Sequence, residues 1–241
     1  MQNALTAAIQ SMHNDQTRLD SIARNLANVS TPGYKREVVA SKPFGDVLRA
    51  AGTAGPTPIS MPEVSTSIDT RPGSIKLTSE ALDLAIEGEG FFEVAMPDGP
   101  AYTRHGRFHL DARGRLVTEA GAAVMGRSGE LQLTGTQPSI DRQGVVTDAG
   151  KTVGQLKAVT FPAGTSLVRL GDGLYRPSSA GVVPQESKDP VRQGYVENSN
   201  VASMTEMVRL VETMRHFESA QKVIQGYDEM LEKSLRKLGE F

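Results

Sequence analysis

Val201-Ala-Ser-Met-Thr-Glu-Met-Val-Arg-Leu-Val-Glu-Thr-Met-Arg-His-Phe-Glu-Ser219 holds no proline or glycine and repeats its apolar residues at helical spacing. Met207, Met214 and Leu235 fall on one row; Leu210, Phe217, Ile224, Leu231 and Leu238 fall on the next. Val201, Met204, Val208 and Val211 add a second apolar strip near the start. Acids precede bases by one turn in pairs such as Glu206/Arg209 and Glu218/Lys222, an arrangement that supports a helix on its exposed side. The pattern predicts one helix from about Asn200 to Leu238, about 57 Å long. Ser203 and Glu206 have capping-box spacing, and Asn200 is an alternative N-cap. A helix of that length outruns the surface of a small β domain and needs another helix to lie on.

The other end of the chain supplies one. Leu5, Met12, Leu19 and Leu26 recur every seventh residue, and Ala8, Ile22 and Val29 occupy the alternate row, interrupted by Asp15. This is an a/d seam over about four heptads. Thr31-Pro-Gly33 ends it, because the residue before proline avoids the helical region. The punctuation of the rest agrees: all 13 prolines lie between Pro32 and Pro190, and of 24 glycines only Gly226 and Gly239 lie outside Gly33–Gly194. Two helices at opposite chain ends can run antiparallel only if the centre is a compact insertion. The expected fold is therefore α+β: long N- and C-terminal α-helices forming a coiled coil, with a central mainly-β domain between them. The expected divisions are a coiled-coil helix over 1–30, an extended Pro/Ala/Gly/Ser/Thr-rich connection over 31–74, a β domain over 75–196 and a second coiled-coil helix over 197–241. Within the β domain, short apolar runs bounded by turns read as strands, among them Phe91–Met96, Leu116–Thr118 and Val145–Asp148. Asp111-Ala-Arg-Gly114 and Asp141-Arg-Gln-Gly144 read as two copies of one tight turn.

Composition narrows the chemistry. The chain has 241 residues and no cysteine, which removes disulfides, thiolate metal sites and cysteine nucleophiles. It has no tryptophan, 5% aromatic residues and a net charge of -2, a poor outfit for stacking on bases or binding phosphates. Nucleic acid is not an expected partner, and no stretch approaches a membrane span. The first thirty residues lack the basic-then-apolar pattern of a cleaved secretory signal. His105 and His109 are four apart but have no clustered carboxylate to complete a metal site. Gly88-Glu-Gly90 and Gly171-Asp-Gly173 complete no phosphate-binding frame, and no serine sits in a nucleophile motif. No catalytic residue, metal ligand or cofactor is expected.

Four ordered stretches carry a resemblance. Asn25-Leu-Ala-Asn28-Val-Ser-Thr31-Pro-Gly33-Tyr34-Lys35 resembles the N-terminal signature of flagellar rod and hook proteins. Asp83-Leu-Ala-Ile-Glu-Gly88-Glu-Gly90-Phe91-Phe92-Glu-Val94 is similar to that family's motif at the start of its β domain. Tyr102-Thr103-Arg104-His-Gly106-Arg-Phe108, with Gly114-Arg-Leu-Val-Thr118, is similar to its paired-strand motif, and Gln193-Gly194-Tyr-Val-Glu-Asn198-Ser-Asn200-Val201 to its lead-in to the C-terminal helix. The resemblance implies a non-enzymatic building block of the bacterial flagellar basal body. Such a subunit is exported unfolded through the flagellar export apparatus and polymerises in the periplasm with copies of itself and other rod proteins, into a tube around the export channel. Chain length favours the proximal rod branch over the distal one.

The expected assembly seam sets Leu5, Met12, Leu19, Ile22, Leu26 and Val29 against Val208, Val211, Met214, Phe217, Ile224, Leu231 and Leu238. A rival reading from the residues is a periplasmic glycan-binding or cell-wall-acting module housed in the β domain. The missing tryptophan and the lack of a recognisable acid/base pair stand against it.

Overall fold

A computed structural model describes residues 2–40, 65–135, 137–179 and 181–238. Most of the expected 31–74 connection, residues 41–64, lies outside the described residues, as do the side chains of Leu5, Leu231 and Leu238. The chain separates into a helical unit, which holds both terminal helices and the strand Glu37–Ala40, and a β unit made of Asn28–Arg36 and Ser67–Val201.

In the helical unit, α1 spans Gln2–Ala27 and α2 spans Ser203–Leu238, 26 and 36 residues. They lie antiparallel: Asn25 Nδ2 donates to Glu206 Oε2 at 3.3 Å, and His216 Nδ1 meets Asp15 Oδ2 at 2.5 Å. The expected long coiled-coil pair is not formed. Of the seam residues whose side chains are described, only Ile22 is buried; Met12, Leu19, Leu26, Phe217 and Ile224 are half-buried, and Val29, Val208, Val211 and Met214 are exposed. The fully covered positions are mostly polar: Asp15, Ser21, Asn25, Glu37 and Glu206. The physical reason is that α2 carries two apolar faces and α1 covers the one holding Leu210, Phe217 and Ile224, where Glu206 takes up Asn25. Glu206 is consequently not a capping-box partner; its other oxygen accepts from Arg209 Nη1 at 2.9 Å. Among the described residues no helix is long and apolar enough to cross a membrane.

The β unit is built on a ten-stranded sheet. Its main path runs Leu167–Gly171, Leu174–Pro177, Gly99–Thr103, Phe91–Met96, Ala123–Gly126, Leu116–Thr118, Phe108–Leu110. The hairpin at its centre pairs Phe92 with Thr103 and Met96 with Gly99. Successive strand residues point to opposite faces, and both faces here are covered. Phe92, Val94 and Ala101 enter a core with Leu84, Phe108 and Leu116, while Phe91 and Tyr102 enter a second core with Val159, Leu167 and Tyr175. Each core is fastened by edge-to-face rings, Phe92 with Phe108 at 5.3 Å and Tyr102 with Phe161 at 4.9 Å.

The two Asp-x-x-Gly turns fold alike. Asp111 Oδ1 accepts from the amides of Arg113 and Arg115, each at 2.8 Å; Asp141 Oδ1 accepts from Gln143 and Val145 at 2.9 and 2.8 Å. In each turn one aspartate oxygen, Oδ1, is taken by two local backbone amides. Two strand pairs close the unit over long sequence separations: Val191–Gln193 with Leu84–Ile86, and Tyr195–Glu197 with Ile75–Leu77.

Candidate functional site

At the start of the β unit, Asn28 and Thr31 build a turn in which the Thr31 hydroxyl donates to Asn28 Oδ1 at 3.2 Å. Gly33 follows with φ of +65° and donates its N–H to the Glu197 carbonyl at 2.7 Å. A Cβ at Gly33 would stand 2.2 Å from the Arg104 carbonyl oxygen, so the close approach and the left-handed backbone both demand glycine. Gly33→Ala is expected to destabilise the β unit by about 1–3 kcal/mol, from strain and overpacking together; urea unfolding of the full chain measures it.

The turn delivers Lys35 into a buried ion cluster. Lys35 Nζ donates to Glu197 Oε1 at 2.7 Å and to the Arg71 carbonyl at 2.7 Å. Arg104 Nη1 donates to Glu197 Oε2 at 2.8 Å and to the Ile86 carbonyl at 3.2 Å; its Nη2 donates to the Gly88 carbonyl. The Gly73 amide adds a bond to Glu197 Oε1 at 2.6 Å. All three charged side chains are closed to solvent, so two cations share one carboxylate out of water. Aromatic faces take up part of the excess: the Arg104 guanidinium lies 5.2 Å from the Phe91 ring, and Arg169 lies 4.2 Å from Tyr34 while donating to the Lys35 carbonyl at 3.1 Å. Tyr175 hydroxyl accepts from the Lys35 amide at 3.1 Å.

Burial, with the nearby Arg104 charge adding to it, pushes Lys35 down to about 8 although Glu197 pulls the other way. The ordinary lysine value is 10.5. Between pH 8 and 10 the unfolded chain therefore binds more protons at Lys35 than the folded one, and stability rises with pH. Full-chain unfolding at pH 8 and pH 10 is expected to show a gain on the order of 2 kcal/mol that Lys35→Met removes. An unchanged slope in that variant contradicts the assignment.

The remaining motif residues are spread over both units. Asn200 Oδ1 accepts from the Arg36 amide at 2.7 Å, and its Nδ2 donates to the Asp69 and Arg71 carbonyls, each at 2.9 Å. Asn198 Nδ2 donates to Ser74 Oγ at 2.9 Å. The Gly90 amide donates to Asp189 Oδ2 at 2.9 Å, and Gly88 leaves the space that this carboxylate fills. Thr103 Oγ1 donates to the Gly173 carbonyl and accepts from the His105 amide. A Cβ at Gly106 would overlap the Leu84 carbonyl, and the Gly194 carbonyl accepts from Thr78 and Ser79. Phe91, Phe92 and Tyr102 are core residues. Asn25 belongs to the helical unit, where its side chain donates to and accepts from the Glu37 backbone at 2.9 and 2.8 Å. Sequence reasoning missed Lys35, Glu197, Tyr175 and Arg169 as a set. The available signal was that Lys35 and Glu197 both lie inside recognised stretches and carry opposite charge.

The expected seam is divided. Met204, Met207, Val208, Val211 and Met214 on α2 are between 49% and 77% exposed. At about 100° per residue they form a stripe about 120° wide, turned away from the face that covers α1.

Three family models match the chain: flagella basal body rod protein over residues 1–35, flagellar hook protein FlgE/F/G D1 domain over 85–169, and flagellar basal body rod FlgEFG protein C-terminal over 192–237. The chain is 35% identical to the flagellar basal-body rod protein FlgG of Buchnera aphidicola subsp. Acyrthosiphon pisum, covering 90% of this chain and 93% of that one. This chain belongs to the flagellar basal-body rod protein family. The rod protein is also 34% identical to FlgG of Bacillus subtilis (97% and 98% covered) and 31% identical to FlgF of Rhizobium meliloti (99% and 99% covered). FlgF and FlgG relatives are thus both matched over nine-tenths or more of their length. Each matched segment of this rod protein gives one charge to the buried cluster: Lys35, Arg104 and Glu197.

Proposed function

We propose that this rod protein is a structural, non-catalytic subunit of the bacterial flagellar basal-body rod. It polymerises through its terminal helices with copies of itself and other rod proteins, into a tube that transmits torque and surrounds the export channel in the periplasm. It reaches that place through the flagellar export apparatus. The observation that carries the reading is the open apolar stripe Met204–Met214 on α2. Burying a side chain of this size contributes about 1.5–3 kcal/mol, so a neighbour that covers several of them gains enough to offset the ordering of the contact. A subunit that must hold its neighbours under load has a use for such a face, whereas a monomeric protein leaves contiguous apolar patches open at the risk of aggregation.

The cysteine-free chain permits a clean test. Met207→Cys introduces a single thiol into the stripe. Basal bodies purified from cells that carry only this variant, treated with a short bis-maleimide, are expected to give covalently joined pairs of subunits, since one thiol per subunit lets the linker join two and no more. Absence of the chain from purified basal bodies would sink the proposal.

A further inference from the structure

We propose that Met204, Met207 and Met214 form an oxidative modification site, at which a hydroperoxide converts the thioethers to sulfoxides and closes the apolar face of α2 to docking. The inference rests on the reading of that stripe as a docking surface and adds its regulation. Geometry supports it in three ways. The three thioethers share one face, interleaved with Val208 and Val211, and the stripe's most exposed member is Met204 at 77%. Among the described residues Met12, Met96 and Met125 are half-buried, and the most open methionines are those at the docking face and Met230. The chain has no cysteine to intercept the oxidant first.

The step is a two-electron oxygen transfer. The sulfur lone pair takes the terminal oxygen of the hydroperoxide; the O–O bond breaks, an S–O bond forms and water leaves when the oxidant is hydrogen peroxide. Sulfur is oxidised and the peroxide reduced. A flexible apolar side chain becomes a polar one, and a desolvated interface offers the new S–O dipole no assured partner. Docking buries the same sulfurs, so the free subunit is sensitive and the assembled one is shielded. Met230 lies on α2 but outside the stripe by its angular position, which makes it an internal control.

Full-length protein is treated with hydrogen peroxide and its sulfoxides are mapped by mass spectrometry; self-association is followed by sedimentation velocity across a concentration series. Met204, Met207 and Met214 are expected to oxidise several-fold faster than Met12, Met96 and Met125, and the association constant to fall at least tenfold. The variant Met204→Leu/Met207→Leu/Met214→Leu, whatever its own association constant, should show the same constant before and after peroxide, although its Met230 still oxidises. Methionine sulfoxide reductase should restore the treated wild-type protein. If oxidised wild type associates like untreated protein while Val211→Asp does not, the docking face stands and the oxidation site falls. If untreated wild type does not associate, or Val211→Asp associates as well as wild type, the docking reading falls and this inference with it.

Discussion

Replacing Glu197 by Gln is expected to destabilise the β unit by about 3–5 kcal/mol, the usual consequence of removing one partner from a buried ion pair. Gln keeps the shape and one acceptor for the Gly73 amide but withdraws the negative charge. Lys35 and Arg104 would then face each other without the carboxylate that bonds both, in a region closed to water. Folded domains are stable by only about 5–15 kcal/mol, so a loss of this size removes a large share of the total. Urea unfolding at pH 7, followed by tyrosine fluorescence because the chain has no tryptophan, measures it. Adding Lys35→Met should recover part of the loss, since one of the stranded cations is gone; the double variant should be less unstable than the two single effects added together. A loss below about 1 kcal/mol, the level of an exposed salt bridge, would mean that the cluster is far better solvated than its geometry indicates.

The cluster also shows where sequence reading stops. Lys35 and Glu197 are separated by 162 positions, and nothing local in either stretch marks its charge as buried. Lysine and glutamate are ordinarily solvated, and only the pairing of Tyr195–Glu197 with Ile75–Leu77 carries Glu197 inside. Leu167–Gly171 is likewise not marked as a strand by its own residues, since Val168 and Leu170 are exposed and only its pairing with Leu174–Pro177 fixes it. By contrast, Phe91–Met96, Leu116–Thr118 and Val145–Asp148 are legible to the residue, because short apolar runs between turn residues are local signals. The glycines were legible as motif members but not as causes. That Gly33 admits the Arg104 carbonyl and Gly106 the Leu84 carbonyl depends on backbone brought from elsewhere in the chain.

The helices failed differently. Both were placed within a few residues, at Gln2–Ala27 and Ser203–Leu238. Periodicity revealed that α2 has apolar rows, yet it does not state which row the chain covers for itself. α1 presents Asp15 and Asn25 along its contact face, and these select polar partners, His216 and Glu206. Polar pairs of this kind fix register at some cost in stability. Phe217 and Ile224 went inward with them, while Val208, Val211 and Met214 stayed outside. The coiled-coil expectation merged two surfaces of α2, one half-buried and one exposed.

Val211→Asp exploits that separation and carries the largest expected effect on assembly. In the free subunit Val211 is half exposed, so the new carboxylate stays hydrated and both units should unfold at wild-type urea concentrations, within about 0.5 kcal/mol. In a docked subunit the same carboxylate would sit among apolar side chains without a partner. Desolvating an unpaired charge costs several kcal/mol, and each 1.4 kcal/mol is a factor of ten, so incorporation into basal bodies should fall by two orders of magnitude or more. Swimming in soft agar and quantitative mass spectrometry of purified basal bodies read the two consequences. Val211→Leu keeps the face apolar and should swim like wild type. Val223→Asp places the same charge on α2 at an equally open valine outside the stripe, and it should be tolerated. A charge at Val211 that leaves the subunit in the basal body at normal abundance would show that the stripe stays wet after assembly, and the contact that builds the rod would then have to be sought on the β unit.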